Sequence, residues 1–213
     1  MIQFLKRPFF NLSSHETWNT VTHSLGIIFA FIAFPFLIYH KINDVSTIQL
    51  ISIFIYAASF LFLFIASTTY HYLQKEKAKE LWRKIDHISI YYMIAGTYVP
   101  FMIAYLPSKK ALIFLAIMYT IVLVGTLFKI FMMGKFEKFS VFLYGFLGWM
   151  VIFIAKSFFG NASLLVSVLV ILGGFFYTAG IYFYVKDKNY DHTIWHIFVL
   201  VASILHFLAV YFI

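Results

Sequence analysis

The sequence predicts an all-α membrane protein, a single seven-transmembrane helix bundle over residues 1–213, with the N-terminus cytoplasmic and the C-terminus outside. Three observations predict it. First, 63% of the chain is hydrophobic, only 11% is charged, and the mean hydropathy is +0.91. Soluble domains run at about 45–50% apolar and about 25% charged, so lipid is the natural solvent for this chain. Second, seven long stretches carry no Asp, Glu, Lys or Arg: Thr17–His40, Val45–Gln74, His87–Ser108, Ala111–Phe128, Phe139–Ala155, Ser157–Val185 and His192–Ile213. Each is long enough for the roughly 17–25 residues that span a bilayer, and backbone groups in lipid must be bonded internally, which makes each a helix. Third, the basic residues are asymmetric. Lys6, Arg7, Lys75, Lys77, Lys79, Arg83, Lys84, Lys129, Lys135, Lys138, Lys186 and Lys188 fall on the side of the N-terminus, against Lys41, Lys109, Lys110 and Lys156 on the other. Basic residues collect in cytoplasmic loops, which sets the orientation.

Taken in order, span one covers 17–40 and contains Pro35. The preceding MIQFLKRPFF lacks the apolar core and small-residue cleavage site of a signal peptide, so this span is expected to be retained. Span two covers 46–73, and its Phe60–Phe64 segment, FLFLF, is apolar on both parities, which excludes a barrel strand. The longest loop follows, around Gln74–Ile85, with Lys75, Glu76, Lys77, Lys79 and Glu80 mixing both signs of charge. Span three covers 87–106, with Pro100 as a possible kink. Spans four, five, six and seven cover 111–129, 139–156, 162–185 and 192–212. Trp18, Trp82, Trp149 and Trp195 lie near span ends, as interfacial anchors do. No linker, soluble domain or internal repeat is visible. The net charge of +8 is explained by orientation and by attraction to anionic headgroups rather than by nucleic acid. The absence of cysteine removes disulfides and thiolate sites.

Polar and ionisable groups inside spans are expensive and mark function. Glu16, Asn19, Thr22 and His23 open span one; Ser67 and His71 close span two; Asp86 and His87 open span three; Asp191, His192 and His196 open span seven. Odd spans begin inside and even spans end inside, so all these groups share the cytoplasmic end. Spacings of three or four put Glu16, Asn19 and His23 on one stripe, Ser67 with His71 on another, and His192 with His196 on a third. Neutral imidazole is the commonest metal ligand. Three imidazoles, His71, His192 and His196, match the ligand count of a catalytic zinc whose fourth position holds water. Asp86 could take a proton from that water or orient it, and Ser67 could bond the water or a polarised carbonyl. The His192-x-x-x-His196 pair is not the zinc-peptidase motif, because Thr193 stands where that motif needs Glu. His206 lies about 15 Å further along its helix, too far to share the metal, and is expected to make a buried hydrogen bond. His87 points about 100° away from Asp86 and is a reserve ligand only; His15 and His40 read as solvated interfacial groups.

These residues carry a resemblance. Glu16-Thr-Trp-Asn19-Thr-Val-Thr22-His23-Ser-Leu-Gly26, Ser67-Thr-Thr-Tyr-His71, Lys84-Ile-Asp86-His87, Ala95-Gly96-Thr97-Tyr98-Val-Pro100, and His192-Thr-Ile-Trp-His196 with His206 behind it follow the order of one family. The chain resembles the haemolysin III branch of the progestin and adipoQ receptor family. The resemblance implies a seven-helix bundle in a bacterial cell membrane, with an intramembrane zinc near the cytoplasmic face. It implies His71, His192 and His196 as its ligands, Asp86 as holder of the zinc-bound water, and Ser67 beside it.

Residues and resemblance together lead to a zinc-dependent hydrolase of lipid amide or ester bonds, ceramidase-like and engaged in membrane lipid homeostasis, with membrane lipids as its partners. The alternative is a non-catalytic, zinc-stabilised lipid sensor. A pore-forming haemolysin is disfavoured, because the sequence shows no secretion signal and no amphipathic pore segment.

Overall fold

A computed structural model of the chain describes residues 12–135, 137–186, 188 and 190–213 and is built of helices. Lys6 and Arg7, counted above for orientation, lie outside the described residues. The helices are α1 (Ser14–Lys41), α2 (Thr47–Tyr72), α3 (Glu76–Tyr105), α4 (Ser108–Met132), α5 (Glu137–Gly148), α6 (Ala155–Asn161), α7 (Leu164–Lys186) and α8 (Asp191–Tyr211). Seven spans are long and apolar enough to cross a membrane, with 137–161 counting as the fifth. The chain is therefore a multi-pass integral membrane protein.

The first two helices start on side-chain caps. Ser13 accepts from the Glu16 backbone N–H at the start of α1, and Ser46 with Gln49 forms a capping box on α2. Pro35 and Pro100 both sit inside continuous helices. The α3 helix is the most buried span and packs against α2, α4, α5, α6 and α8. The α1 helix packs on α2 and α8, and α8 packs on α7. Between them lies an aromatic core of Phe34, Tyr56, Phe60, Phe64 and Phe207. Side chains facing outward, such as Phe31, Ile32, Leu112, Phe131 and Phe153, are exposed and apolar, as a lipid-facing surface requires.

Two elements differ from expectation. The segment expected as a loop around Gln74–Ile85 is helical from Glu76 onward, as an extension of α3. Its Lys, Glu, Ala and Leu residues are strong helix formers, and Glu80 and Lys84 make an i,i+4 pair at 4.0 Å. The fifth span is broken rather than continuous. The α5 helix ends at Gly148, a 3-10 turn runs over Met150–Ile154, and α6 resumes at Ala155. Gly145 and Gly148 weaken the helix. Tyr98 of α3 satisfies the groups the break frees: its hydroxyl donates to the Gly148 carbonyl at 2.7 Å and accepts from the Val151 N–H at 3.0 Å. Breaks in a spanning helix persist where a neighbour bonds the freed backbone in this way.

A candidate metal centre of buried histidines

The last turn of α2 and the first turns of α8 meet at the end of the bundle where α1 begins. They bring His71, His192 and His196 together: one nitrogen from each ring lies within 4.8 Å of the others. Ring centroids are 4.6 Å apart for His192 and His196, 4.9 Å for His71 and His196, and 5.2 Å for His71 and His192. His71 and His196 are buried and His192 half-buried. Helical spacing accounts for the pair on α8; packing of α1 between α2 and α8 brings in the third ring.

Hydrogen bonds decide which nitrogen His71 and His196 present. His71 Nδ1 donates to Glu16 Oε2 at 2.6 Å, and its Nε2 is buried with no partner among the described residues. His196 Nδ1 lies 3.3 Å from the Asn19 carbonyl and 3.3 Å from Thr22 Oγ1. A carbonyl only accepts, so the proton sits on Nδ1 and Nε2 keeps its lone pair. Imidazoles that ligate metals are held in just this way, with the other ring N–H given to a carboxylate or carbonyl. The donor set therefore fits a transition-metal ion, and an orphaned buried nitrogen on His71 is what such an ion would satisfy.

Asp86 is buried on α3, and its carboxyl interacts with the Ser67 hydroxyl one turn before His71. His23 is buried and lies against His196, with the rings tilted by 45° and 3.7 Å between centroids; both its ring nitrogens lack partners among the described residues. Asn19 also accepts from Thr193 of α8 at 2.5 Å. His206 stands apart: its ring Nε2 lies 3.2 Å from the Val170 carbonyl of α7. His87 turns away from the three rings, and its Nδ1 lies 4.0 Å from Glu137 Oε2. His15 stacks on Tyr190, and His40 packs between Phe36 and Tyr211 at the far end of α1.

Three features escape sequence reasoning. The Glu16 carboxylate bridges His71 and Lys79; Thr22 and Asn19 hold His196; and Lys129, only 1% exposed, pairs with Glu137 at 2.7 Å. The polar stripe on α1 signals that these groups face inward, but not which residue each meets.

From the histidines a cavity of about 1110 Å³ runs into the bundle between α3, the broken fifth span, α7 and α8. One end of it is polar, lined by Glu16, Ser67, His71, Asp86 and His192. Its depth is lined by Ile90, Met93, Ile94, Phe101, Phe158 and Val170, with His206 near the end. A charged group would be costly in that depth, whereas an alkyl chain would not.

Comparison with known proteins agrees with this architecture. Residues 12–207 match the family described as Haemolysin-III related. The chain is similar to the Hemolysin-3 homolog of Bacillus subtilis strain 168, at 36% identity over 92% of this chain and 93% of the relative. It is similar to Hemolysin-3 of Bacillus cereus at 33% identity over 100% of this chain and 94% of the relative. More distantly, it is similar to the human Monocyte to macrophage differentiation factor, at 25% identity over 91% of this chain and 82% of that protein.

Proposed function

The chain belongs to the haemolysin-III related family, and from that premise we propose that it is a zinc-dependent hydrolase of lipid amide or ester bonds, ceramidase-like and acting in membrane lipid homeostasis. The observation that carries the reading is one continuous space: three convergent imidazoles and the Asp86–Ser67 pair line the polar end of a large, mostly apolar cavity. His71, His192 and His196 would hold zinc; when bound, it supplies Lewis-acid polarisation of a carbonyl and acidifies water.

The remaining roles belong to the chain's own residues. Asp86 accepts the proton of the attacking water as the new C–O bond forms, and returns it to the amine or alcohol that leaves as the old bond breaks. Ser67 orients the Asp86 carboxyl and offers its hydroxyl to the carbonyl oxygen. The cavity between α3 and α7 takes the alkyl chain and excludes water from it. We place the site at the cytoplasmic face of the bacterial cell membrane. The support is the basic side of the chain: Lys75, Lys77, Lys79, Arg83, Lys84, Lys129, Lys135, Lys138, Lys186 and Lys188 flank the same ends of the helices as the histidines.

The test supplies purified, zinc-loaded protein with ceramides and acyl lipids and follows free fatty acid. The wild type should release it, and Asp86→Asn should be slower by about 10²–10⁴-fold. No release from the wild type across the panel would leave the histidines a structural staple in a lipid sensor. Undiminished release by Asp86→Asn would keep the enzyme and discard this mechanism.

A further inference from the structure

The first span supplies none of the three clustered imidazoles, yet its Glu16 makes the shortest polar contact to any of them. Glu16 Oε2 accepts a hydrogen bond from His71 Nδ1 at 2.6 Å, and Glu16 Oε1 accepts one from Lys79 Nζ at 2.6 Å. The carboxylate is about a quarter exposed, so it is neither a solvated surface group nor a sealed one. Both oxygens are committed, one to the ring and one to the ammonium.

Position explains why such a device is needed. His71 sits in the last turn of α2, which ends at Tyr72. Terminal turns have carbonyls without intrahelical partners and fray easily. Lys79 Nζ also donates to the carbonyls of Leu73 at 3.3 Å and Tyr70 at 3.4 Å, and lies over the Tyr70 ring at 4.9 Å. One ammonium thus closes the end of α2, where the helix dipole is negative, and holds the carboxylate that holds the ring. Lys79 comes from the extension of α3 beyond the expected third span. Three chain segments meet on one ligand.

We propose that Glu16 and Lys79 are positioning residues of the metal centre. Glu16 fixes the tautomer and tilt of His71, and Lys79 acts through Glu16 and through the α2 end, so that docking of the α3 extension sets metal affinity. This rests on the reading of His71, His192 and His196 as metal ligands. It assigns the charged face of α1 a role in the centre without making it a ligand. A carboxylate that orients a ligating imidazole commonly contributes about 10–100-fold to metal affinity.

The experiment measures zinc affinity of detergent-purified full-length protein by competition with a chromophoric chelator, together with the visible spectrum of the cobalt-substituted form. Circular dichroism checks that each variant is folded. Glu16→Ala should weaken zinc by about 10–100-fold, and Glu16→Gln, whose amide oxygen can still accept from the ring, by less. Lys79→Ala should weaken zinc in the wild-type background by more than it does when added to Glu16→Gln, because its route to the metal runs partly through Glu16. The cobalt bands should shift in Glu16→Ala and return toward wild type in Glu16→Asp. Folded Glu16→Ala with unchanged affinity and spectrum would overturn the inference while leaving the three ligands intact. Equal Lys79→Ala losses in both backgrounds would remove Lys79 from the route. A wild type that holds no metal, or a His196→Ala that keeps full zinc, would sink the ligand reading itself and this inference with it.

Discussion

Gly26 of α1 lies directly against the Phe64 ring of α2, and replacing it should damage the candidate metal centre from a distance. A Cβ built on Gly26 would fall on Cδ1, Cε1 and Cγ of the Phe64 ring, far inside the 3.4–4 Å of ordinary contact. Phe64 cannot swing away at low cost. It is fully buried, stacked on Phe60 at 4.6 Å and against His23 at 5.1 Å. The helices must therefore separate or the ring must leave its rotamer, and overpacking of this kind costs about 1–3 kcal/mol. For a chain of this size each kcal/mol moves the melting temperature by about 2–4 °C, so Gly26→Ala should melt about 2–12 °C below a helix-interior Gly→Ala change that meets no clash. Gly174→Ala is the control: its Cβ would meet nothing within 4 Å, and helix propensity alone would favour alanine by up to about 1 kcal/mol. The assay is thermal unfolding in detergent, followed by intrinsic fluorescence, with zinc content measured in parallel. Because Phe64 packs on His23, and His23 on His196, Gly26→Ala should also hold zinc less tightly, and Phe64→Leu should restore part of both losses. Gly26→Ala melting with or above Gly174→Ala would refute the packing argument.

Three other expectations follow from the same contacts. His71→Ala, His192→Ala and His196→Ala should each lose most of the bound zinc, measured by mass spectrometry of the purified protein, whereas His40→Ala should keep it; full zinc in His196→Ala would mean that the ligand set is wrong. A cytoplasm-active reporter fused after Lys79 or Lys188 should work, and one fused after Lys109 should not; the reverse pattern would invert the membrane orientation. Lys129→Met leaves Glu137 without its 2.7 Å partner. Since that carboxylate is a third exposed and can rehydrate, the loss should fall below the roughly 3–5 kcal/mol of a fully buried pair; thermal unfolding should show a drop that Lys129→Met with Glu137→Gln largely recovers.

Membrane class and span count were legible because hydropathy and charge are properties of neighbouring residues. A stretch such as His87–Ser108 is too apolar for water and too long for anything but a spanning helix, whatever lies elsewhere in the chain. The polar stripes were legible for a similar reason, since His192 and His196 share a face by helical repeat alone. Partner choice was not legible. Helices in lipid associate by shape and by a few interhelical hydrogen bonds, with no hydrophobic force to align them. Only the packed bundle could therefore assign Glu16 to His71, Asn19 and Thr22 to His196, and Lys129 to Glu137. The same holds for the two departures from expectation. The break in the fifth span is sustained by the Tyr98 hydroxyl of α3, fifty residues before Gly148. The helical extension at Glu76 is tied down by the Lys79–Glu16 pair. Local sequence determines what each segment can be in a membrane; close packing, which brings together groups far apart in the chain, decides what each polar group must bond.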